Sequence, residues 1–355
     1  MVIEQARLQP YRLPFRVPWL SARSHLSVRH GWLVLLTARD GRVGRGDCAP
    51  LAAAGTETDA ASTAWLRRRL PRLRGVSTSE GLSALEATAP PAARFALETA
   101  LLDLEAQARE VPLWRLLTDS PAPSLACNAA VGPIDERIGT RLAEAAEEGF
   151  RIAKVKVGIG SPEREAARLR EVCRDLPAKL ELRLDANAAW SETEASAFLA
   201  TIDGLPVEMV EEPLAWPHRD ALARLQASAP CALALDENLA RVGIDTMEEQ
   251  KPVARAVLKP AVCGGIGKAA AIAKRLRTGG IGCVVTTTLE GPVGTWAALH
   301  LAVASGSPEL AHGLATAIWF DADPAPFPKT GSGIVNLPEG PGLVSQAQAA
   351  RRTRQ

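Results

Sequence analysis

The chain has 355 residues, 47% of them hydrophobic, which is enough apolar content to bury a large core; a disordered chain is excluded, and two domains or one barrel with additions are expected. Its 41 Lys and Arg residues nearly cancel 40 Asp and Glu, for a net charge of +1. That balance removes the counterion-release drive behind binding to nucleic acid or an anionic membrane, so a small-molecule partner is expected.

The opening MVIEQARLQPYRLPF lacks the basic-then-apolar run of a leader, and no apolar stretch reaches the ~18 residues of a membrane helix, so a cytoplasmic protein is expected. Two strand-like stretches follow, RLQPYRLPFRV and GWLVLLTARDGRVGRGDCAPL, the second broken by the hairpin signal Asp40-Gly41. From Ser62 to Leu117 the period turns helical, as in AARFALETALLDLEAQARE. Residues 1–122 therefore read as an α+β unit closed by the DSPAPS linker. Beyond it, eight short apolar runs alternate with amphipathic helical stretches: 124–132, 151–158, 180–186, 207–213, 232–237, 255–260, 283–288 and 310–314. This is the rhythm of a (β/α)-barrel, and an open doubly wound sheet shares it. The last strand-like stretch, GIVNLPEGPGLV, is expected to return to the N-terminal meander, and QAQAARRTRQ reads as a frayed tail. Six cysteines (48, 127, 173, 231, 263 and 283) stand singly, with no C-x-x-C pair, and read as buried reduced thiols.

Charges fall in a pattern within those runs. Lys154, Lys156, Asp185, Glu211, Asp236 and Lys259 all stand at or near the C-terminal end of an apolar stretch, the face on which a parallel barrel gathers residues from separate strands. Buried carboxylates repeated at corresponding places need a shared partner. Asp185, Glu211 and Asp236 would form an all-oxygen site suited to a hard divalent ion such as Mg²⁺, whereas zinc would want His or Cys. In K-V-K the period of two puts Lys154 and Lys156 on one face of their strand. A lysine desolvated beside cations can act as a general base near neutral pH, and Lys259 would face it from the far side.

The order K-V-K, L-D-A-N-A-A-W, V-E-E-P-L, L-D-E-N and L-K-P-x-x-C-G-G resembles the muconate-lactonising-like branch of the enolase superfamily over almost the whole chain. The resemblance implies an α/β fold: a (β/α)7β TIM-like barrel at 123–319, capped by an α+β domain formed by residues 1–122 and the 320–355 return. It implies Asp185, Glu211 and Asp236 as ligands of Mg²⁺, with Mn²⁺ as a substitute, Lys156 as base with Lys154 beside it, and Lys259 opposite. Asn187 and Glu237 resemble outer partners of the ligands. Segments 18–29 and 52–58 are expected as lid loops, and Ser21, Arg23, Ser24, Thr287, Thr288 and Gly264 as contacts to a small carboxylate substrate. No nucleic acid or membrane is implied; a homo-oligomer is compatible. L-D-A-N-x-x-W, V-L-K-P and T-T-T-L-E-G are most similar to the o-succinylbenzoate synthases of that branch, implying Mg²⁺-dependent dehydration by α-proton abstraction. Gly313 and Ala315 stand where dipeptide epimerases carry D-x-D. An N-acylamino acid racemase or dipeptide epimerase on the same scaffold, and a Schiff-base aldolase using Lys259 or Lys156, remain open.

Overall fold

The computed structural model describes residues 1–21, 24–122, 124–321 and 327–344, with the side chains of Leu20, Ser21 and Ser24 also outside the description. The N-terminal part is a three-stranded antiparallel sheet, β1 (Ile3–Ser21), β2 (Ser24–Ala38) and β3 (Val43–Cys48), in that order. Alternation on β2 sends Val34, Leu36 and Ala38 into a core with Leu66 of α1 (Asp59–Arg69) and Leu97, Leu101 and Leu104 of α3 (Pro91–Ala108), while α2 (Thr78–Ser83) packs on α3. Helix α3 lies directly on β3 because Gly44 and Gly46 carry no side chain: a Cβ at either would fall inside the radius of the Ala100 or Ala96 carbonyl oxygen.

In the segment expected as a lid loop, 18–29, residues 18–21 and 24–29 are the far end of the β1–β2 ribbon, with Trp19 opposite Leu26 and Ser21 opposite Ser24. A register shift between Pro14 and Trp19 precedes this stretch, where Pro14 and Pro18 lack the N–H that a regular ladder needs. The other expected loop, 52–58, opens with a short 3-10 turn, Ala52–Ala54, ended by Gly55 in the left-handed region at φ 99°.

The second part alternates strand and helix. In chain order come β4 (Ser124–Ala126), β5 (Ala129–Pro133), α4 (Ile138–Glu147), β6 (Ile152–Lys156), α5 (Pro162–Cys173), β7 (Glu181–Asp185), α6 (Glu192–Thr201), β8 (Val207–Glu211) and α7 (Arg219–Ser228). There follow β9 (Ala232–Leu235), α8 (Leu239–Val242), α9 (Ile244–Gln250), β10 (Arg255–Leu258), α10 (Pro260–Cys263), α11 (Ile266–Thr278), β11 (Gly282–Val285) and α12 (Pro292–Ser305). Strands β5 to β11 pair in parallel, each with its sequence neighbours, as one curled half-barrel sheet. Outward-facing Val155, Leu184, Val210, Leu235, Leu258 and Val285 join the main core under the helices, and inward-facing Met209, Ala234, Val257 and Val284 form a smaller cluster.

Two expected strands differ. The run 124–132 divides at Cys127-Asn128, and only β5 joins the parallel sheet. The run 310–314 makes no ladder; His312 and Gly313 form single parallel bridges to Cys127 and Thr286, at the two edges of the sheet. The His312 imidazole itself accepts from Val285 N at 3.0 Å, so a side chain supplies a bond that a strand would take from its backbone.

The C-terminal return meets the N-terminal meander at one end, where Phe320 forms an antiparallel bridge to Phe15 and Asp321 N donates to Pro14 O at 2.8 Å. Its strand β13 (Ile334–Asn336), with β12 (Thr330–Gly331), pairs with β4 and not with the N-terminal meander. Contact with the N-terminal part comes through Leu343 N, which donates to Asp103 on α3 at 2.8 Å, and through Phe320, stacked on Phe15 at 4.9 Å. All six cysteines are free, three buried and Cys173, Cys231 and Cys263 only half-buried. Among the described residues no helix is long and apolar enough to cross a membrane.

Candidate active site

Period-two alternation sets the site. Lys154 and Lys156 on β6, and Arg183 and Asp185 on β7, line one cleft at the C-terminal ends of the parallel strands; Glu211 on β8 joins them, with Asp236 and Lys259 just beyond β9 and β10. Register aligns them: Lys156 lies opposite Asp185, and Asp185 opposite Glu211. Directly after these ends the chain turns through left-handed residues, Asn187 (φ 46°), Ala188 (φ 60°) and Glu212 (φ 50°). Such backbone costs about 1–3 kcal/mol per non-glycine residue and persists where neighbours over-determine it. Here Ala188 N donates to Glu212 O at 2.7 Å and Glu212 N to Ala234 O at 2.9 Å.

Glu212, the second Glu of E-E-P, is a residue that sequence reasoning passed over. Its fully buried carboxylate accepts from Asp236 N (2.6 Å), Asn238 N (2.9 Å) and Asn238 Nδ2 (2.6 Å), bracketing the loop after β9. Burial, with Glu237 nearby, pushes its carboxyl up to about 7. The Asn of D-E-N was the available signal, since its amide can donate where a shorter side chain could not.

The lysines thread the carboxylates. Lys154 Nζ lies 2.8 Å from Asp185 Oδ2 and 2.8 Å from both oxygens of Glu211. Lys156 Nζ donates to Asp185 Oδ2 and Asn187 Oδ1, each at 2.6 Å. Lys259 pairs closely with Asp236 and stands 3.8 Å from Glu237 Oε1, which accepts from Asn187 Nδ2 at 3.4 Å. Burial alone would raise the Asp185 carboxyl, but Lys154 and Lys156 outweigh it and hold it well below the usual range. For Lys154 and Lys259 burial favours the neutral amine, yet the surrounding carboxylates outweigh it and hold both above the ordinary lysine range. At Asp236 burial, then Glu237 and Glu211, push the carboxyl up against the pull of Lys259. Asp185, Glu211, Asp236 and Glu237 thus share one cleft with Lys154, Lys156, Lys259 and Arg183.

These carboxylates bear on a cation. Among the described residues no three His, Cys, Asp or Glu side chains are gathered closely enough to hold a metal ion. The reason is visible: the Lys154 ammonium sits between Asp185 and Glu211 as a stand-in cation, and Lys259 draws Asp236 aside. The donor set fits a hard divalent ion in chemistry and charge, being all oxygen, and Glu237 Oε2 is buried without a hydrogen-bond partner. Asp185, Glu211 and Asp236 could hold such an ion once the ammoniums withdraw.

Of the other expected residues, Asn187, Glu237, Thr287, Thr288, Ala53 and Ala54 line the cleft. Gly264 does not; it caps α10 in the left-handed region, and its carbonyl accepts from Arg94 on α3. Arg23 and the side chains of Ser21 and Ser24 lie outside the described residues. Sequence reasoning named the 18–29 segment but not Trp19 within it, which lines the cleft, its ring centroid 5.8 Å from Lys156 Nζ, and meets Trp319 edge-on at 4.8 Å. It missed Arg183 too, buried on the floor, where its guanidinium donates to Asn128, Ala311 O and Glu208. Arg29 also went unread; from β2 it donates to Pro50 O at 2.8 Å and to Thr288 O and Leu289 O at 3.2 Å, tying the N-terminal sheet to the cleft wall.

The chain is similar to known proteins. Residues 138–348 match the family model described as Enolase C-terminal domain-like. Muconate cycloisomerase 1 of Rhodococcus opacus is 30% identical over 256 residues, 71% of this chain and 68% of that one. An o-succinylbenzoate synthase of Thermosynechococcus vestitus is 30% identical over 303 residues, 82% of this chain and 86% of its own. The solved structure of N-succinyl Arg/Lys racemase from Bacillus cereus superposes with a TM-score of 0.88 at 20% identity, covering 100% of this chain and 99% of that one.

Proposed function

The chain belongs to the enolase superfamily, and from that premise we propose that it is a Mg²⁺-dependent o-succinylbenzoate synthase, a hydro-lyase of menaquinone biosynthesis acting on 2-succinyl-6-hydroxy-2,4-cyclohexadiene-1-carboxylate. The observation that carries the reading is one cleft lined by Lys156 from β6 and Lys259 from beyond β10, with Asp185, Glu211 and Asp236 on the intervening strands and loops. Asp185, Glu211 and Asp236 would hold the cation, with Mn²⁺ as a substitute; when bound it supplies Lewis-acid polarisation of a carboxylate.

The protein's own groups do the rest. Lys156 takes the α-proton from the ring carbon bearing the carboxylate. As its conjugate acid it returns that proton to the hydroxide leaving the adjacent carbon, so that H and OH depart as water and the ring becomes aromatic. Lys259, held protonated by Asp236 and Glu237, stabilises the anionic ring by its charge. Asn187 positions the base through its 2.6 Å hydrogen bond to Lys156. The end of the β1–β2 ribbon and the 52–58 turn keep water from the reacting atoms.

Dehydration is favoured over dipeptide epimerisation because Gly313 and Ala315, at the D-x-D positions, offer no carboxylate to a substrate ammonium. The synthase relative matched over 82% of the chain supports the same reading. A second reading, an N-acylamino acid racemase, is favoured by the two lysines reaching one cleft from different strands and by the fold neighbour that bears such a name. Turnover of the cyclohexadiene, lost with a chelator and restored by Mg²⁺, tests the leading reading. Asp185→Asn, Glu211→Gln and Asp236→Asn should each lose that activity while keeping the far-ultraviolet dichroism of the parent; normal turnover in any one would remove it from the cation site.

A further inference from the structure

Four threonines line the cleft, and three of their hydroxyls are engaged by the protein. Thr286 donates to Gly313 O at 2.9 Å, Thr288 donates to Glu290 at 2.5 Å, and Thr287 accepts from Leu289 N at 3.2 Å. Thr316 is different: it is 7% exposed, and its Oγ1 has no hydrogen-bond partner. A hydroxyl removed from water without a partner carries an uncompensated desolvation cost, so a buried orphan on a residue that lines a ligand cleft leaves a bond that a ligand can supply.

Its surroundings say what kind. Thr316 opens the 3-10 turn Ala317–Trp319, and its carbonyl accepts from Trp319 N at 3.2 Å. Trp319 rests edge-on against Trp19, and Trp19 faces Lys156. Thr316 thus connects, through Trp319, to the Trp19 wall of the cleft, whose lining also includes Ala315 and Leu289. None of these side chains is an anion, so the wall offers nothing to balance a cation. A carbonyl or carboxylate oxygen needs only a donor there, and the threonine hydroxyl is one.

Resting on the dehydratase reading, and deepening it, we propose that Thr316 contacts the substrate and donates a hydrogen bond to an acceptor oxygen on its acyl branch. The cleft then selects carboxylic acids that carry a second oxygen acceptor beyond the carboxylate, and disfavours a free ammonium at that place.

The test uses the full chain with Mg²⁺ and two probes, o-succinylbenzoate, which has the acyl branch, and benzoate, which lacks it. Calorimetric affinities are compared among the parent, Thr316→Val, which keeps shape and removes the hydroxyl, and Thr316→Ser, which keeps the hydroxyl. Thr316→Val should bind o-succinylbenzoate about tenfold more weakly, Thr316→Ser should stay within about twofold of the parent, and benzoate should bind all three alike. Equal losses for both probes, or unaltered o-succinylbenzoate affinity in Thr316→Val, would overturn the contact. The same ratio taken with an N-succinylamino acid against its free amino acid decides the point even where the parent fails to dehydrate the cyclohexadiene, so failure of the synthase reading and failure of the Thr316 contact are told apart.

Discussion

Glu212 shows how a side chain one position from the reacting cluster sets its geometry. Glu212→Ala would leave three buried donors, Asp236 N, Asn238 N and Asn238 Nδ2, without their acceptor. Each such loss costs about 1–3 kcal/mol before relaxation, so urea unfolding should report about 2–4 kcal/mol lost; an unmoved midpoint would show that the bracket is not structural. The two lysines separate by chemistry. If Lys156 performs both proton steps, Lys156→Ala loses all turnover, since the neighbouring amine, Lys154, is held protonated between Asp185 and Glu211. Lys259 contributes charge, so Lys259→Arg should retain more dehydration than Lys259→Ala. In a racemase both lysines must exchange protons, and arginine cannot act as a base. Loss of N-acylamino acid racemisation in Lys259→Arg, from a parent that turns that substrate over faster than the cyclohexadiene, would therefore sink the synthase assignment.

At the scale of elements, what the sequence made legible followed from period two. Charged residues recurring at apolar strand ends fixed which side chains share a cleft, and Lys154, Lys156, Asp185, Glu211, Asp236 and Lys259 do line it. What stayed hidden depended on partners distant in sequence. The 310–314 segment reads as a strand by composition, yet it is held by the His312 ring and two single bridges. The 18–29 segment is expected as a lid loop only from the resemblance, yet residues 18–21 and 24–29 are strand. Gly264 reads as a substrate contact by its position after Lys259, and packing against α3 turns it away. Packing of α3 on β3 carries its own test. Gly46→Ala would drive a methyl into the Ala96 carbonyl, and backbone cannot yield as a flexible side chain can; strain of this kind typically costs about 1–3 kcal/mol. Thermal unfolding of Gly46→Ala should therefore begin at lower temperature than that of Gly139→Ala, whose site has nothing within 4 Å of a new Cβ and no left-handed backbone. Equal or higher stability of Gly46→Ala would show that α3 stands farther from β3 than described.

On the scale of the whole molecule, the N-terminal sheet docks on the parallel-sheet part through a buried acidic cluster. Tyr11 on β1 donates to Asp47 on β3 at 2.7 Å, Gly294 N at the start of α12 donates to Asp47 at 3.2 Å, and Glu290 lies just ahead of that helix. Arg29 on β2 is the cation facing them, its guanidinium shared among the carbonyls of both parts. Burial pushes Asp47 up to about 7, with Glu290 adding to the rise and the Tyr11, Gly294 and Arg29 contacts opposing it. Glu290 is also raised, by burial first, against the Thr288 hydroxyl. An acid whose folded pKa exceeds its unfolded value of 3.8 keeps its proton in the fold after the unfolded chain has lost it. Its contribution to stability is then full below about 4 and declines as pH rises towards about 7, by at most about 1.4 kcal/mol per pH unit, with no further change above. Asp47→Asn is a near-isostere of the protonated acid and cannot titrate. The stability of Asp47→Asn relative to the parent, measured by urea unfolding from pH 4.5 to 8, should therefore climb between about pH 5 and 7 and level off beyond. A difference that stays constant across that range, or that falls with pH, would mean that Asp47 is ionised throughout and that the two parts are joined by a charged cluster.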